Sequence, residues 1–243
     1  MKYYELKYRH FFDKKDGSKR RQIGEANGEK VPNGKPYFDR IGEGEIIKDA
    51  PVFDYFFLKS FDRPQFWEWH LQDIHGFIGV GSIITGWYIS DRFKKLLEQF
   101  TIAKGFWFYP TKLLYKGEKH DYWIFQYATI EDGISNKSYV DLKKSTFFDD
   151  EQDSFIKISN YEELKLHRNR IKTDSEYEKD LVPKQIVLNQ AVDFIPMYRI
   201  INSGVIISER LKIAIEEAEL EGFEFSDLDY EVVVENKVNE SDV

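Results

Sequence analysis

Apolar and polar positions along this chain follow two periods, and one stretch that joins them occurs twice. Gly86-Trp87-Tyr88-Ile89-Ser90-Asp91-Arg92-Phe93-Lys94 returns as Gly204-Val205-Ile206-Ile207-Ser208-Glu209-Arg210-Leu211-Lys212, an offset of 118 residues. Each copy reads as an apolar run, a serine, an acid, an arginine, and then apolar residues at helical spacing. Those are Phe93, Leu96, Leu97 and Phe100 in one copy and Leu211, Ala214, Ile215 and Ala218 in the other. Spacing of i, i+3, i+4, i+7 predicts an amphipathic helix with one face toward a core. Ser90 and Ser208 stand at the N-cap, and Asp91 and Glu209 place negative charge at the positive end of the helix dipole. Gly105 and Gly222 follow, and the Phe-x-Phe after each suits a half-buried strand. The repeated unit is therefore strand, capped helix, glycine turn, strand.

The remaining patterns are mainly those of strands. Residues 1 to 12 alternate as a strand does, and Asp13 to Pro36 reads as a long polar loop or hairpin tip with a basic cluster, Lys14 to Arg21. Further strands are expected at Trp107 to Leu114, Tyr122 to Tyr127, Ser138 to Leu142, Phe155 to Ile158, Gln185 to Leu188 and Phe194 to Ile201. A second kind of helix is expected from Asn160 to Lys179, with Glu162 and Glu163 early and lysines and arginines late, the order a helix dipole favours. The expected class is α+β, with mostly antiparallel sheets, a few helices and two similar strand-helix-strand units. The chain reads as a single domain, 1–243, with Lys172 to Lys184 as the place where it would divide into lobes of 1–172 and 184–235.

Composition narrows the chemistry. The 243 residues are 42% hydrophobic and include no cysteine, which excludes disulfides, thiolate metal ligands and cysteine nucleophiles. No apolar run approaches the roughly 20 residues that cross a bilayer, and the N-terminal stretch lacks a signal-peptide core. A soluble, cytoplasmic protein with no membrane partner is expected. The net charge of −8 is concentrated at one end, since residues 213–243 hold eleven acids and one lysine. Such an end repels phosphate backbones and suits a basic protein partner, so no nucleic-acid partner is expected.

Candidate catalytic sets are thin. No G-x-S-x-G turn is present, and Gly76 to Gly81 reverses the dinucleotide glycine order. His70, Asp73 and His75 are close in sequence and could ligate zinc or run acid–base chemistry, which defines an alternative reading as a metal-dependent or hydrolytic enzyme. Asp149 to Asp153 lacks the ligand periodicity of a calcium loop. Neither a cofactor nor a resident metal is expected. Nine aromatic residues fall within 53 to 77, dense enough that Trp67 and Trp69 are candidate exposed anchors for a protein partner.

Three stretches carry a family resemblance. Trp87 to Leu97, Gly105-Phe106-Trp107-Phe108-Tyr109-Pro110 and Tyr122-Trp123-Ile124-Phe125-Gln126 together resemble immunity proteins of bacterial polymorphic toxin systems. The pattern is similar to the immunity family numbered forty-three, with the family numbered eleven as a relative. Asp141 to Phe147, Met197 to Ile200, Ile206 to Lys212 and Leu220 to Phe223 resemble further parts of the same pattern, with Glu221 where the family usually has threonine. The resemblance implies an α+β fold, no catalysis, and a cytoplasmic protein that binds and neutralises one cognate toxin domain. Charge and aromatic density then place the toxin contact at Glu216, Glu217, Glu221, Glu224, Asp227 and Asp229, with Trp67 and Trp69.

Overall fold

The computed structural model describes residues 1–13, 19–28, 31, 33–60, 71–83, 85–127, 138–176, 178–198, 200 and 204–235. The chain opens with β1 (Tyr3–Tyr8). The first half then runs β2 (Phe11–Asp13), β3 (Lys19–Asn27), α1 (Gly34–Gly42), β4 (Phe53–Ser60), β5 (Ile74–His75) and β6 (Phe77–Val80). It continues through β7 (Gly86–Ser90), α2 (Asp91–Leu97), β8 (Trp107–Tyr115) and β9 (Glu118–Gln126). The second half runs β10 (Thr146–Asp149), β11 (Ser154–Ile156), α3 (Tyr161–Asp174), β12 (Leu181–Leu188) and β13 (Phe194–Pro196). It ends with β14 (Val205–Ser208), α4 (Glu209–Glu217), β15 (Phe223–Asp227) and β16 (Glu231–Val234). The class is α+β with mostly antiparallel sheets, as the sequence pattern implies.

One large sheet is ordered β2-β3-β4-β8-β9-β7-β5, with β6 beside β3. The second half forms two smaller sheets, β13-β14-β1-β15 and β11-β10-β12-β16. Among the strands of the described residues, the pairs β3–β6, β4–β8 and β12–β16 are parallel and the others antiparallel. Strand periodicity decides where the side chains go, because alternate residues point to opposite faces. Trp87 and Ile89 of β7, Phe125 of β9, Leu6 of β1, and Val205 and Ile207 of β14 meet in one central cluster. Tyr88, Tyr122 and Ile124, the alternate residues of the large sheet, face an outer cluster with Phe38 and Ile41 of α1. Tyr3, Ile195 and Ile206 face the opposite outer cluster with Leu164 and Ile171 of α3. The two sheets thus look at each other across the central cluster, which α2 and α4 enter through Phe93, Leu97, Leu211 and Ile215.

Both repeated helices begin as the sequence implies. The Ser90 hydroxyl accepts a hydrogen bond from the Phe93 N–H at 3.1 Å, and Ser208 accepts one from Leu211 at 3.3 Å. Gly105 and Gly222 take φ of +84° and +99° at the turns, a backbone state glycine adopts without steric cost.

Elsewhere the pattern reading needs correction. The expected loop or hairpin tip, Asp13 to Pro36, also contains the whole of β3 and the start of α1, because β3 gains partners in β4 and β6 that lie far along the chain. The expected strand Ser138 to Leu142 is reduced to a single bridge, Val140 to Leu188, and the strand itself lies at β10. The third helix stops at Asp174 rather than Lys179, where Ser175 caps it, Glu176 turns to φ +51°, and Asp180 folds back to pair with Arg168 and Lys172. Ile171 of α3 and Leu181 of β12 lie in the same cluster. No helix among the described residues is long and apolar enough to cross a membrane.

Candidate binding surface

Asp73, singled out above as a candidate catalytic acid, is tied into the fold. It lies just before β5, whose residue Ile74 pairs with Ile89 of β7. Its carboxylate accepts a hydrogen bond from the Ser90 hydroxyl at 2.5 Å and another from the Glu221 N–H at 2.9 Å. Asp193 holds the same place before β13 and does the same work. It accepts from the Ser208 hydroxyl at 2.7 Å and the Thr101 N–H at 2.9 Å, and Arg210 meets both of its oxygens. Burial pushes the Asp193 carboxyl up, but Arg210, Ser208 and the Thr101 N–H outweigh it and hold the group below the usual carboxylate range. The exchange is reciprocal, since Glu221 follows α4 and Thr101 follows α2. Each half's acid therefore grips its own helix cap and the turn that follows the other half's helix. Arg92 and Arg210 complete the crossing, Arg92 donating to the Ala218 carbonyl at 2.7 Å and Arg210 lying 5.3 Å from the Phe100 ring centre.

His75 is 3% exposed, and its Nε2 accepts the Gln72 N–H at 3.1 Å. Burial pushes its pKa down to about 3, so the ring stays neutral. Trp67, Trp69 and His70 lie outside the described residues. Among the described residues no group of three or more histidines and acids is placed to hold a metal. Asp149 is also structural: buried in β10, it accepts from the Glu151 and Gln152 N–H groups and from Arg170.

The acids at the C-terminal end form a surface. Glu216 pairs with Lys212 at 2.7 Å, one turn back along α4. Glu217, Glu219 and Glu221 are exposed at the end of the helix and in the turn that Gly222 closes. Glu224 on β15 stands 3.9 Å from Arg9, Asp227 pairs with Lys2 at 2.7 Å, and Asp229 is exposed beyond the strand. Acids predominate here at the wrong end of a helix. Carbonyls at a helix C-terminus carry partial negative charge, and α4 has no basic residue in its last turn to answer it. The equivalent α2 ends with Lys94 and Lys95. Among the described residues, Arg92 of the first half reaches across to bring a cation to the Ala218 carbonyl.

A second surface feature gave no signal in the sequence. Phe100, Phe106, Trp107, Phe108 and Trp123 line a groove of about 600 Å³ beside the end of α2. Lys94 lies along it, 4.6 Å from the Trp123 ring centre. No protein-family model matches the chain, and no curated protein matches it.

Proposed function

We propose that this protein is a non-catalytic immunity protein that binds and neutralises a cognate toxin domain of basic surface in the bacterial cytoplasm. The observation that carries the reading is the exposed acidic run from Glu216 to Asp229, in which Lys212, Arg9 and Lys2 answer Glu216, Glu224 and Asp227 while Glu217, Glu221 and Asp229 have no ion-pair partner among the described residues. Fold stability alone would favour lysine or arginine at the end of α4, and the cost of acids there is about 0.3–1 kcal/mol for each charge near the terminus. A local rule broken on the surface is where function is expected. A cationic partner would relieve the repulsion, be steered to the site by the same field, and bind faster at low salt. The resemblance of the repeated unit to polymorphic-toxin immunity proteins supports the same assignment. Proteins that act on nucleic acid carry basic surfaces to meet phosphates, so a nuclease-type toxin domain fits this charge.

The enzyme reading gains no support from Asp73 and His75, because the first is held by Ser90 and Glu221 and the second is buried against the Gln72 backbone. The test is affinity capture of the full chain from its own host at low and high salt, followed by expression of the captured partner alone. A stoichiometric partner that is lethal alone, tolerated with this protein, and released by Glu217→Lys/Glu221→Lys/Glu224→Lys or by high salt is expected. A protective complex unaffected by the triple charge reversal at low salt would remove the acidic surface from the proposal, and capture of no lethal partner would overturn the immunity reading.

A further inference from the structure

The large sheet and the small inner sheet share one arrangement, and the chain builds it differently in each. In the large sheet, β9 lies between β7 and β8 and follows β8 directly through the turn at Lys116 and Gly117. In the other sheet the matching place, between β14 and β15, is filled by β1. Register makes the match residue by residue: Tyr122 lies opposite Ser90, and Tyr3 lies opposite Ser208. Tyr122 donates its hydroxyl to the Gln72 carbonyl at 2.7 Å, and Tyr3 donates to the Val192 carbonyl at 2.9 Å. One residue on, Trp123 Nε1 donates to Asp91 at 3.3 Å, and the Tyr4 hydroxyl donates to Glu209 at 3.4 Å. Lys94 lies over the Trp123 and Phe108 rings, and Lys212 lies over the Tyr4 and Phe225 rings. Phe125 and Leu6 then enter the same central cluster.

We infer that the slot between β14 and β15 is a strand-accepting site whose occupant is residues 1–8 of this chain, a separable strap that closes the second unit last. The strap is gripped along both edges, by four register pairs to β14 and five to β15. Its anchors are also specific: the Glu209 N–H donates to the Lys2 carbonyl at 2.9 Å, Lys2 pairs with Asp227, and the Arg9 N–H donates to the Gly222 carbonyl at 2.7 Å. Without the strap, β14 and β15 would each present an unpaired edge, and Val205, Ile207 and Phe225 would lose the neighbour that separates them. Nearly two hundred residues of chain separate the strap from β14, so this pairing forms only after the chain through β14 and β15 exists.

The experiment inserts a protease site between Arg9 and His10 of the full chain and cuts the folded protein. The cut fragment should co-elute with the remainder. Stripping it in denaturant and refolding without it should speed amide exchange in Val205–Ser208 and Phe223–Asp227 by about tenfold or more, while β7–β9 stay protected. Adding a synthetic peptide of residues 1–9 should restore protection, and the Leu6→Asp peptide should not. Unchanged exchange without the fragment, or equal rescue by the Leu6→Asp peptide, would overturn the inference. A second variant carries residues 1–9 after residue 243 instead of at the start. In this variant the strap follows β16 rather than β15, and native protection of Val205–Ser208 and Phe223–Asp227 is expected because the slot accepts the strand itself; failure of both variants to fold would also overturn the inference.

Discussion

Asp73 and Asp193 each hold the capping serine of their own half and a backbone N–H of the other, from Glu221 and Thr101 respectively. The two acids stand in equivalent places, so one interaction is made twice in opposite directions. Neither helix can shift without loosening the turn after its counterpart.

Asp193→Ala should cost about 2–4 kcal/mol, because it strands the Thr101 N–H and the Arg210 guanidinium; the larger values known for buried pairs are reduced by the exposure of Arg210. Asp73→Ala should cost less, since Arg92 stands 3.8 Å from its carboxylate and also bonds Ala218. Urea unfolding of both variants at pH 7 checks the order. The depressed Asp193 carboxyl contributes stability above the unfolded aspartate value of about 3.9, and that contribution is lost as pH falls below it.

His75 gives a second pH dependence in a different window. Its ring is neutral in the fold, with a pKa of about 3, while the unfolded chain takes up a proton below 6.5. The unfolded state therefore binds more protons between those values, and stability falls as pH falls. The expected loss from pH 7 to pH 5 is about 2 kcal/mol, and His75→Gln should flatten that slope in parallel denaturation curves.

Gly222 and Gly117 separate strain from crowding. Both have positive φ, +99° and +86°, but a Cβ at Gly222 would sit 2.6 Å from Gln72 Oε1 and 2.9 Å from the Ile74 carbonyl oxygen, whereas one at Gly117 meets open space. Gly117→Ala should cost about 1 kcal/mol for the backbone state alone. Gly222→Ala should cost about 2–4 kcal/mol, since the Ile74 carbonyl belongs to the sheet and cannot step aside. Thermal melts of the two variants give the comparison.

Glu217→Lys should move stability and binding in opposite directions. Replacing an acid by a cation at the end of α4 should stabilise the free protein by about 0.3–1 kcal/mol. The same change should slow capture of a basic partner at low salt. A variant that is both less stable and unchanged in partner capture would contradict the role given to this surface.

What the sequence made legible was local. Ser90, Ser208 and the Phe-x-Phe segments announced themselves because caps, glycine turns and apolar stripes are short-range signals, and each was found in place. The length of β3 and the strand β10 were not legible, since Gly24 is a strand residue by pairing with Leu58 and Phe77, and buried Asp149 depends on Arg170 from a distant helix. The match of Tyr3 with Tyr122 was hidden for another reason. The two strands occupy different places in the order of the chain, so no constant offset aligns them. For the candidate surface, charge counting found the acidic end, and the structure shows that Lys212, Arg9 and Lys2 answer Glu216, Glu224 and Asp227, while Glu217 has no ion-pair partner among the described residues. The aromatic groove joins Phe100 to Trp123 through the fold, and no spacing in the sequence brings them together.

Trp107 and Glu224 sit at matching register, opposite Gln126 and Lys7, in the two copies of one unit. Two identical subunits related by a twofold axis cannot differ at such a position, because every substitution appears on both at once. Carrying both copies in one polypeptide lifts that restriction. The shared interior can stay under one set of packing demands while each outward face drifts on its own, one toward rings and the other toward carboxylates. Under the proposed function, a change of partner is then met by redrawing one face without disturbing the contact that holds the copies together.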